Sequence, residues 1–233
     1  MGEKSEKTEK TGVKKVSYKK IRKSREVNLL IDRGNEILGI LGYTEHSQVH
    51  ATLVASRAAW LLKELGYPEH VAELARIAGY MHDIGNSINR HDHAHSGAIL
   101  AYGILKDMKM ELTDAIIISS AIGQHDESTG TAIDAVSAAL IIADKTDVRR
   151  NRVRNRIREN FDAHDRVNYA VLSTKLSVIR EKKMIQMDME LDDRICSVMD
   201  YFEIFLQRMV MCRRASEILG FRFRLVVNGN KLA

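Results

Sequence analysis

The sequence predicts a mainly α protein: a helical bundle over about residues 26–160, followed by a small α+β unit of ββαβ order over 165–233. Apolar residues recur at spacings of three and four almost throughout the first part, the period of an amphipathic helix. Past Asp165 the period changes to two, the signature of half-buried strands. Glycines stand where the helical runs stop, as at Gly42, Gly66 and Gly220.

Taken in order, Val27, Leu30, Ile31, Ile37, Leu38 and Leu41 line one face of a first helix. A second is expected from about Glu45 to Leu65. Pro68 suits the opening of a third, which carries Val71, Leu74, Ile77, Ala78 and Met81 and ends at His82–Asp83. After a polar loop from Asn86 to Asp92, helices follow at about 93–107, 111–125 and 132–148. The last is dense in Ala, Ile and Leu from Ala138 to Ala143 and should be the most buried. Leu172, Thr174, Leu176 and Val178 alternate, as do Ile185, Met187, Met189 and Leu191, so a hairpin should turn near Glu181–Lys183. A long helix then carries Ile195, Met199, Phe202, Leu206, Met209 and Leu219, and Phe221, Phe223, Leu225 and Val227 form a third strand.

Composition is that of an ordinary globular protein, 45% hydrophobic and 29% charged. No run approaches the ~20 apolar residues of a membrane span, and the Lys/Glu/Thr-rich start lacks the apolar core of a secretory signal. Neither membrane insertion nor a membrane partner is expected. Cys196 and Cys212 lie 16 apart in one helical pattern, too far to pair, so a reducing cytoplasm is the expected compartment. The net charge of +5 is concentrated. Residues 1–26 hold ten Lys/Arg against four Glu, and 145–158 hold seven Lys/Arg against Asp147, leaving an acidic body. The segment 1–25 reads as a flexible basic tail. The second basic segment follows a candidate ligand, so facing a phosphate and being a solvated basic face are equally open to it.

Eight of the nine histidines fall between positions 46 and 125. His46 and His50 are four apart and should project from one helix face. His82 and Asp83 adjoin at a helix end, His91, His93 and His95 surround the next helix start, and His125 and Asp126 follow another. Asp144 lies in the most apolar segment, where a carboxylate is costly unless a cation or hydrogen bonds compensate it. Imidazole nitrogen with carboxylate oxygen suits Mn, Fe, Zn, Ni or Co and is poor for a dedicated calcium site. Taken singly, each residue has an equally good ordinary reading. His70 and His164 suit the surface, His46 a cap, and Asp144 a pair with Arg149.

The order of these residues resembles the HD superfamily of metal-dependent phosphohydrolases: a first His (His50), an adjacent pair (His82–Asp83) and a later Asp (Asp144). Tyr80-Met81-His82-Asp83-Ile84-Gly85-Asn86 is similar to its HDIG segment, and His93-Ala94-His95-Ser96-Gly97-Ala98 to the H-x-x-x-G-A segment of dinuclear members. Ile122 to Glu127 resembles the helix end that supplies another histidine. The resemblance covers roughly 45–150. It implies an HD-type metal-binding bundle in which His50, His82, Asp83 and Asp144 bind one divalent transition metal. Asp83 would bridge to a second ion completed by His93 and His125. His46 and Asp126 stand where some HD-GYP proteins have extra ligands. The GYP segment is missing, which argues against cyclic dinucleotide hydrolysis.

The implied activity is hydrolysis of a phosphate ester or nucleotide-type substrate by a metal-bound hydroxide, with Asp83 and His82 at the reacting centre. Lys145, Arg149 or Arg150 would neutralise the remaining phosphate charge. Two alternatives stand beside it: a di-iron oxygenase of the same superfamily, and an RNA- or polyanion-binding module with a structural metal. No aromatic-rich nucleic-acid motif favours the latter. A phosphorylated small molecule or nucleotide is the expected partner. The C-terminal unit is expected to mediate homo-oligomerisation or to cover the site.

Overall fold

In a computed structural model, described for residues 16–155 and 157–232, the chain is mainly α with one small sheet. The helices are α1 (Tyr18–Arg22), α2 (Arg25–Ile40), α3 (Gln48–Glu64), α4 (Glu69–Met81), α5 (His93–Asp107), α6 (Leu112–Gly123), α7 (Ala135–Lys145), α8 (Ala163–Ala170) and α9 (Val198–Ile218). Strands β1 (Val171–Ile179), β2 (Met184–Leu191), β3 (Arg222–Val227) and β4 (Asn230–Lys231) form a sheet in that order. β1 and β2 are an antiparallel hairpin turning through Arg180–Lys182, with Lys183 left-handed. β2 and β3 are parallel because α9 carries the chain back across the sheet.

The expected ββαβ order is therefore present, with β4 added at one edge. Helix α8 lies ahead of it, and its Asp162 cap accepts from the Asp165 backbone N–H at 2.7 Å. Helix α1 occupies part of the expected tail and buries Ile21, while Tyr18 donates its backbone N–H to Glu73 at 2.7 Å. Most of that tail, residues 1–15, lies outside the described residues. Both thiols are free and buried. Among the described residues no helix is long and apolar enough to cross a membrane.

Helix α7 is the bundle's axis. Every side chain from Val136 to Ala143 is buried, and α3, α4, α6 and α9 all pack on it. Its Ala-rich surface lets the neighbours approach closely, and the same device brings α3 to α4. A Cβ on Gly79 would lie 2.8 Å from the Ala55 backbone, so only glycine permits this crossing. Hydrophobic contact runs without a break from Val16 to Val227, so the sheet and α9 share one core with the bundle. These contacts set the C-terminus of α4, the N-terminal half of α3 and the end of α7 around one point.

Candidate metal centre

Three helices deliver the first group of candidate ligands. His50 comes from the first turn of α3, His82 caps α4 with Asp83 next to it, and Asp144 stands in the last turn of α7. His50 Nε2 lies 3.3 Å from His82 Nε2, 3.4 Å from Asp144 Oδ1 and 3.6 Å from Asp83 Oδ2. His82 Nε2 lies 3.3 Å from Asp83 Oδ2 and 3.6 Å from Asp144 Oδ1. Ligand atoms each about 2.0–2.2 Å from a common ion, at the tetrahedral angle, sit roughly 3.3–3.6 Å apart. The spacing fits a metal.

The second group shares Asp83. Its other oxygen, Oδ1, lies 3.6 Å from His93 Nε2 and 3.8 Å from His125 Nε2, and those two nitrogens are 3.2 Å apart. One carboxylate thus turns an oxygen to each group, as a bridging ligand must. Gly85 makes room for the approach of α5, since a Cβ there would meet the His93 carbonyl at 2.0 Å.

The hydrogen bonds behind the imidazoles aim them. Nδ1 of His50 meets Asp147 Oδ2 at 2.7 Å, that of His82 the Gly79 carbonyl at 2.9 Å, and that of His125 the Ile122 carbonyl at 2.6 Å. His93 Nδ1 meets the Arg90 carbonyl at 3.1 Å. Each acceptor requires the proton on Nδ1, which leaves the Nε2 lone pairs pointing inward. Facing lone pairs repel unless a proton or a cation stands between them. Among the described residues Asp83 Oδ2 is buried with no hydrogen-bond partner, the kind of orphaned acceptor that a cation satisfies. The donor set and this orphaned oxygen fit a divalent metal.

Charge in the metal-free centre follows the same logic. Burial works against a charged His82, yet the carboxylates of Asp83 and Asp144 overcome it and push the imidazole up to about 10. Burial also opposes ionised Asp83, but His82 and His125 hold it well below the usual carboxylate range. Asp144 is held down likewise, against burial, by Lys145, His50 and His82. His93 is pushed down to about 3 by burial and by His125, so its imidazole stays neutral.

The structure brings six of the expected ligands, His50, His82, Asp83, His93, His125 and Asp144, into these two groups. His46 is off the helix expected to carry it: α3 starts only after the Ser47 cap, because that side chain accepts from Val49 N–H. Its ring still lies 5.5 Å from that of His50 and lines the pocket. Asp126 is engaged by Ser128 in the turn after α6 and is absent from the pocket wall. His91 and His95 lie on the exposed side near Asp92.

Lys145 is at the pocket, its Nζ 2.8 Å from Asp144 Oδ2 and 3.3 Å from Glu127 Oε1. Arg149 and Arg150 are not. Arg149 Nε lies 2.5 Å from Asp147 Oδ1, and Arg150 donates to the Tyr169 carbonyl at 2.6 Å with its guanidinium over that ring. Arg152 does line the pocket, but its Nε donates to the Glu45 carbonyl, and Arg154 donates to that of Tyr43. The basic run thus ties loops together instead of forming a continuous basic face. Arg156 and the Arg158 side chain lie outside the described residues.

Residues of the centre not singled out from sequence include Asp147, which aims His50, and Thr44, Arg90, Glu127 and Arg208 on the pocket wall. Arg208 comes from α9, with Nε 2.7 Å from Glu127 Oε1, so the C-terminal part completes the rim. Only Asp147 carried a local signal, a charge one helical turn beyond Asp144.

Among the described residues the bundle gathers overlapping His/Asp groups, two of which share Asp83, as an HD-type metal centre does, and the HD domain family's model matches residues 48–204. The chain belongs to that family. An uncharacterized protein of Methanocaldococcus jannaschii is 29% identical over 179 residues, covering 66% of this chain and 68% of that protein. Ribonuclease Y of Oceanobacillus iheyensis is 35% identical over 131 residues, covering 54% of this chain and 23% of the relative. Ribonuclease Y of Campylobacter concisus is 28% identical over 146 residues, covering 58% and 26%. The chain therefore spans about a quarter of these ribonuclease Y relatives. Among solved structures, one described as a predicted HD superfamily hydrolase from an uncultured Thermotogales bacterium is 25% identical. It covers 53% of this chain and 67% of its own, with a TM-score of 0.42.

Proposed function

We propose that the protein hydrolyses a phosphate ester of a small phosphorylated molecule or nucleotide at a dinuclear centre. The observation that carries this reading is the division of Asp83 between two groups of imidazoles, Oδ2 facing His50 and His82 and Oδ1 facing His93 and His125. His50, His82, Asp83 and Asp144 would hold one ion; Asp83, His93 and His125 would hold the other. When bound, such a pair lowers the pKa of water and neutralises phosphoryl charge. Mn, Fe, Zn, Ni and Co all suit these donors.

The chain's own contribution is orientation and charge. Lys145, Arg90 and Arg208 converge on the pocket from α7, the loop before α5, and α9. Burial opposes the Lys145 charge, but Asp144 and Glu127 raise its pKa, so it remains an ammonium at the pocket wall. These three cations would bind the non-bridging phosphoryl oxygens and the negative charge that grows on the leaving group. Glu127 holds Lys145 and Arg208 in place.

The test is metal analysis of protein purified without chelator, with hydrolysis of phosphomonoesters and nucleotides by wild type and Asp83→Ala. Loss of both metal and phosphate release in the variant is expected. Unchanged metal content and hydrolysis would overturn the assignment, and oxygen uptake by iron-loaded protein without phosphate release would replace hydrolysis with oxidation. The name of the ribonuclease Y relatives favours a second reading, cleavage of an RNA phosphodiester, so an RNA oligonucleotide belongs in the panel.

A further inference from the structure

The pocket at the metal ligands opens into a longer cleft. The cleft shares Thr44, His46, Arg90, Glu127 and Arg208 with it, has a volume of ≈ 390 Å³, and continues to Tyr43, Asp165 and Asn168 beside the first turns of α8. Its chemistry changes along its length. The shared end carries Arg90 and Arg208, and the far end carries acceptors. Asp165 is only 8% exposed. Its backbone N–H goes to Asp162 Oδ1, which occupies Asp162 as the cap of α8. The Asp165 carboxylate has no hydrogen bond or ion pair of its own among the described residues, although it lines the cleft. Burial and the neighbouring Asp162 charge both raise its pKa, as expected of a carboxylate short of donors.

Asn168, 4% exposed, uses its amide N–H on the His164 carbonyl at 2.8 Å, which leaves its side-chain oxygen as an acceptor on the same wall. Tyr43 flanks the passage, with the Arg90 guanidinium 5.4 Å above its ring. A ligand matched to this cleft has an anion at one end and hydrogen-bond donors at the other.

We propose that Asp165 and Asn168 form a subsite for hydroxyl or amine donors on the non-phosphate part of the substrate, which makes the substrate class hydroxylated organophosphates such as sugar phosphates. The proposal rests on the reading of the metal pocket as a phosphate site. The phosphate then lies at the metal ligands, and the substrate body runs past Arg90 and Arg208 to α8. A carboxylate that faces the cleft without a protein donor is free to take one from the substrate, and a site built to hydrogen-bond a hydroxyl discriminates against an analogue lacking it.

The experiment compares two phosphonates that cannot be hydrolysed, methylphosphonate and the C–P isostere of a pentose 5-phosphate. Calorimetry with Mn-loaded, full-length protein gives the ratio of their affinities. The hydroxylated ligand is expected to bind wild type about tenfold or more tightly than methylphosphonate. Asp165→Asn and Asn168→Ala should each shrink that ratio to roughly threefold or less, leaving methylphosphonate affinity within about twofold. A ratio near one in wild type, an unchanged ratio in both variants, or an equal loss for both ligands would overturn the subsite. Asn168→Ala carries the comparison alone if Asp165→Asn does not fold. Phosphonate binding without hydrolysis of any ester removes the proposed reaction and leaves the subsite standing. Hydrolysis with a ratio near one does the reverse, and no phosphonate binding overturns both.

Discussion

Asp147 offers the sharpest test of how the centre is built. It touches no metal position, yet its Oδ2 is 2.7 Å from His50 Nδ1, and Arg149 Nε lies 2.5 Å from its Oδ1. The side chain is fully buried. Asp147→Asn keeps the shape and removes the charge. If the amide NH2 turns toward His50, the imidazole must accept at Nδ1 and carry its proton on Nε2, where it faces the ligand cluster. Loss of a carboxylate behind a ligating histidine costs about 10–100-fold in metal affinity, or ~1.4–2.7 kcal/mol. The upper end applies here, because the other acceptors near His50 are themselves candidate ligands. A competition titration against a chromophoric chelator reads this directly. Metal affinity within about twofold of wild type, in a variant whose fold is intact and alongside a His50→Ala control that loses metal, would refute the argument.

Three other outcomes follow from the geometry. Lys145→Met should lower turnover by about 10²–10³ while leaving metal content intact; parallel metal loss would mean the lysine is structural. Metal uptake should release a proton from His82 over the window set by its raised pKa. His82 stabilises the metal-free fold fully below its ordinary value of 6.5, and this is lost as pH rises through about 10. Metal-free protein should therefore lose Tm between those limits more steeply than metal-loaded protein, and calorimetry in buffers of different ionisation enthalpy should count the proton. Gly79→Ala forces α3 from α4 and should cost about 1–3 kcal/mol, seen as a lower Tm with weaker metal binding, since His50 and His82 ride on those helices.

Much of the bundle was legible because helices of this length carry their period in local apolar spacing. The Ala138–Ala143 run marked the most buried helix for the same reason. Helices α1 and α8 were missed because five and eight residues hold too few turns to show a period. The six grouped candidate ligands were readable because each sits at a helix end or in a recognisable segment. Arg90, Glu127 and Arg208 were not, since their meeting depends on how α9 lies against α7. Arg149 and Arg150 show the converse limit. Their spacing after Asp144 allowed them to reach the pocket, but the chain leaves the helix at Lys145, and the turn that follows sends them to Asp147 and Tyr169.

The shared position of Asp83 has a consequence for metal supply. In the proposed dinuclear centre, a single carboxylate facing both groups would make the two sites one thermodynamic unit, since an ion held by one oxygen of Asp83 would draw charge from the other. Linkage requires the effect to be mutual, so each ion alters the affinity of the other by the same factor. Occupancy then depends on metal concentration in a way that two separate sites would not show. With two unlike ions, the order of addition sets which half-filled states form first, while the final distribution at equilibrium remains the same.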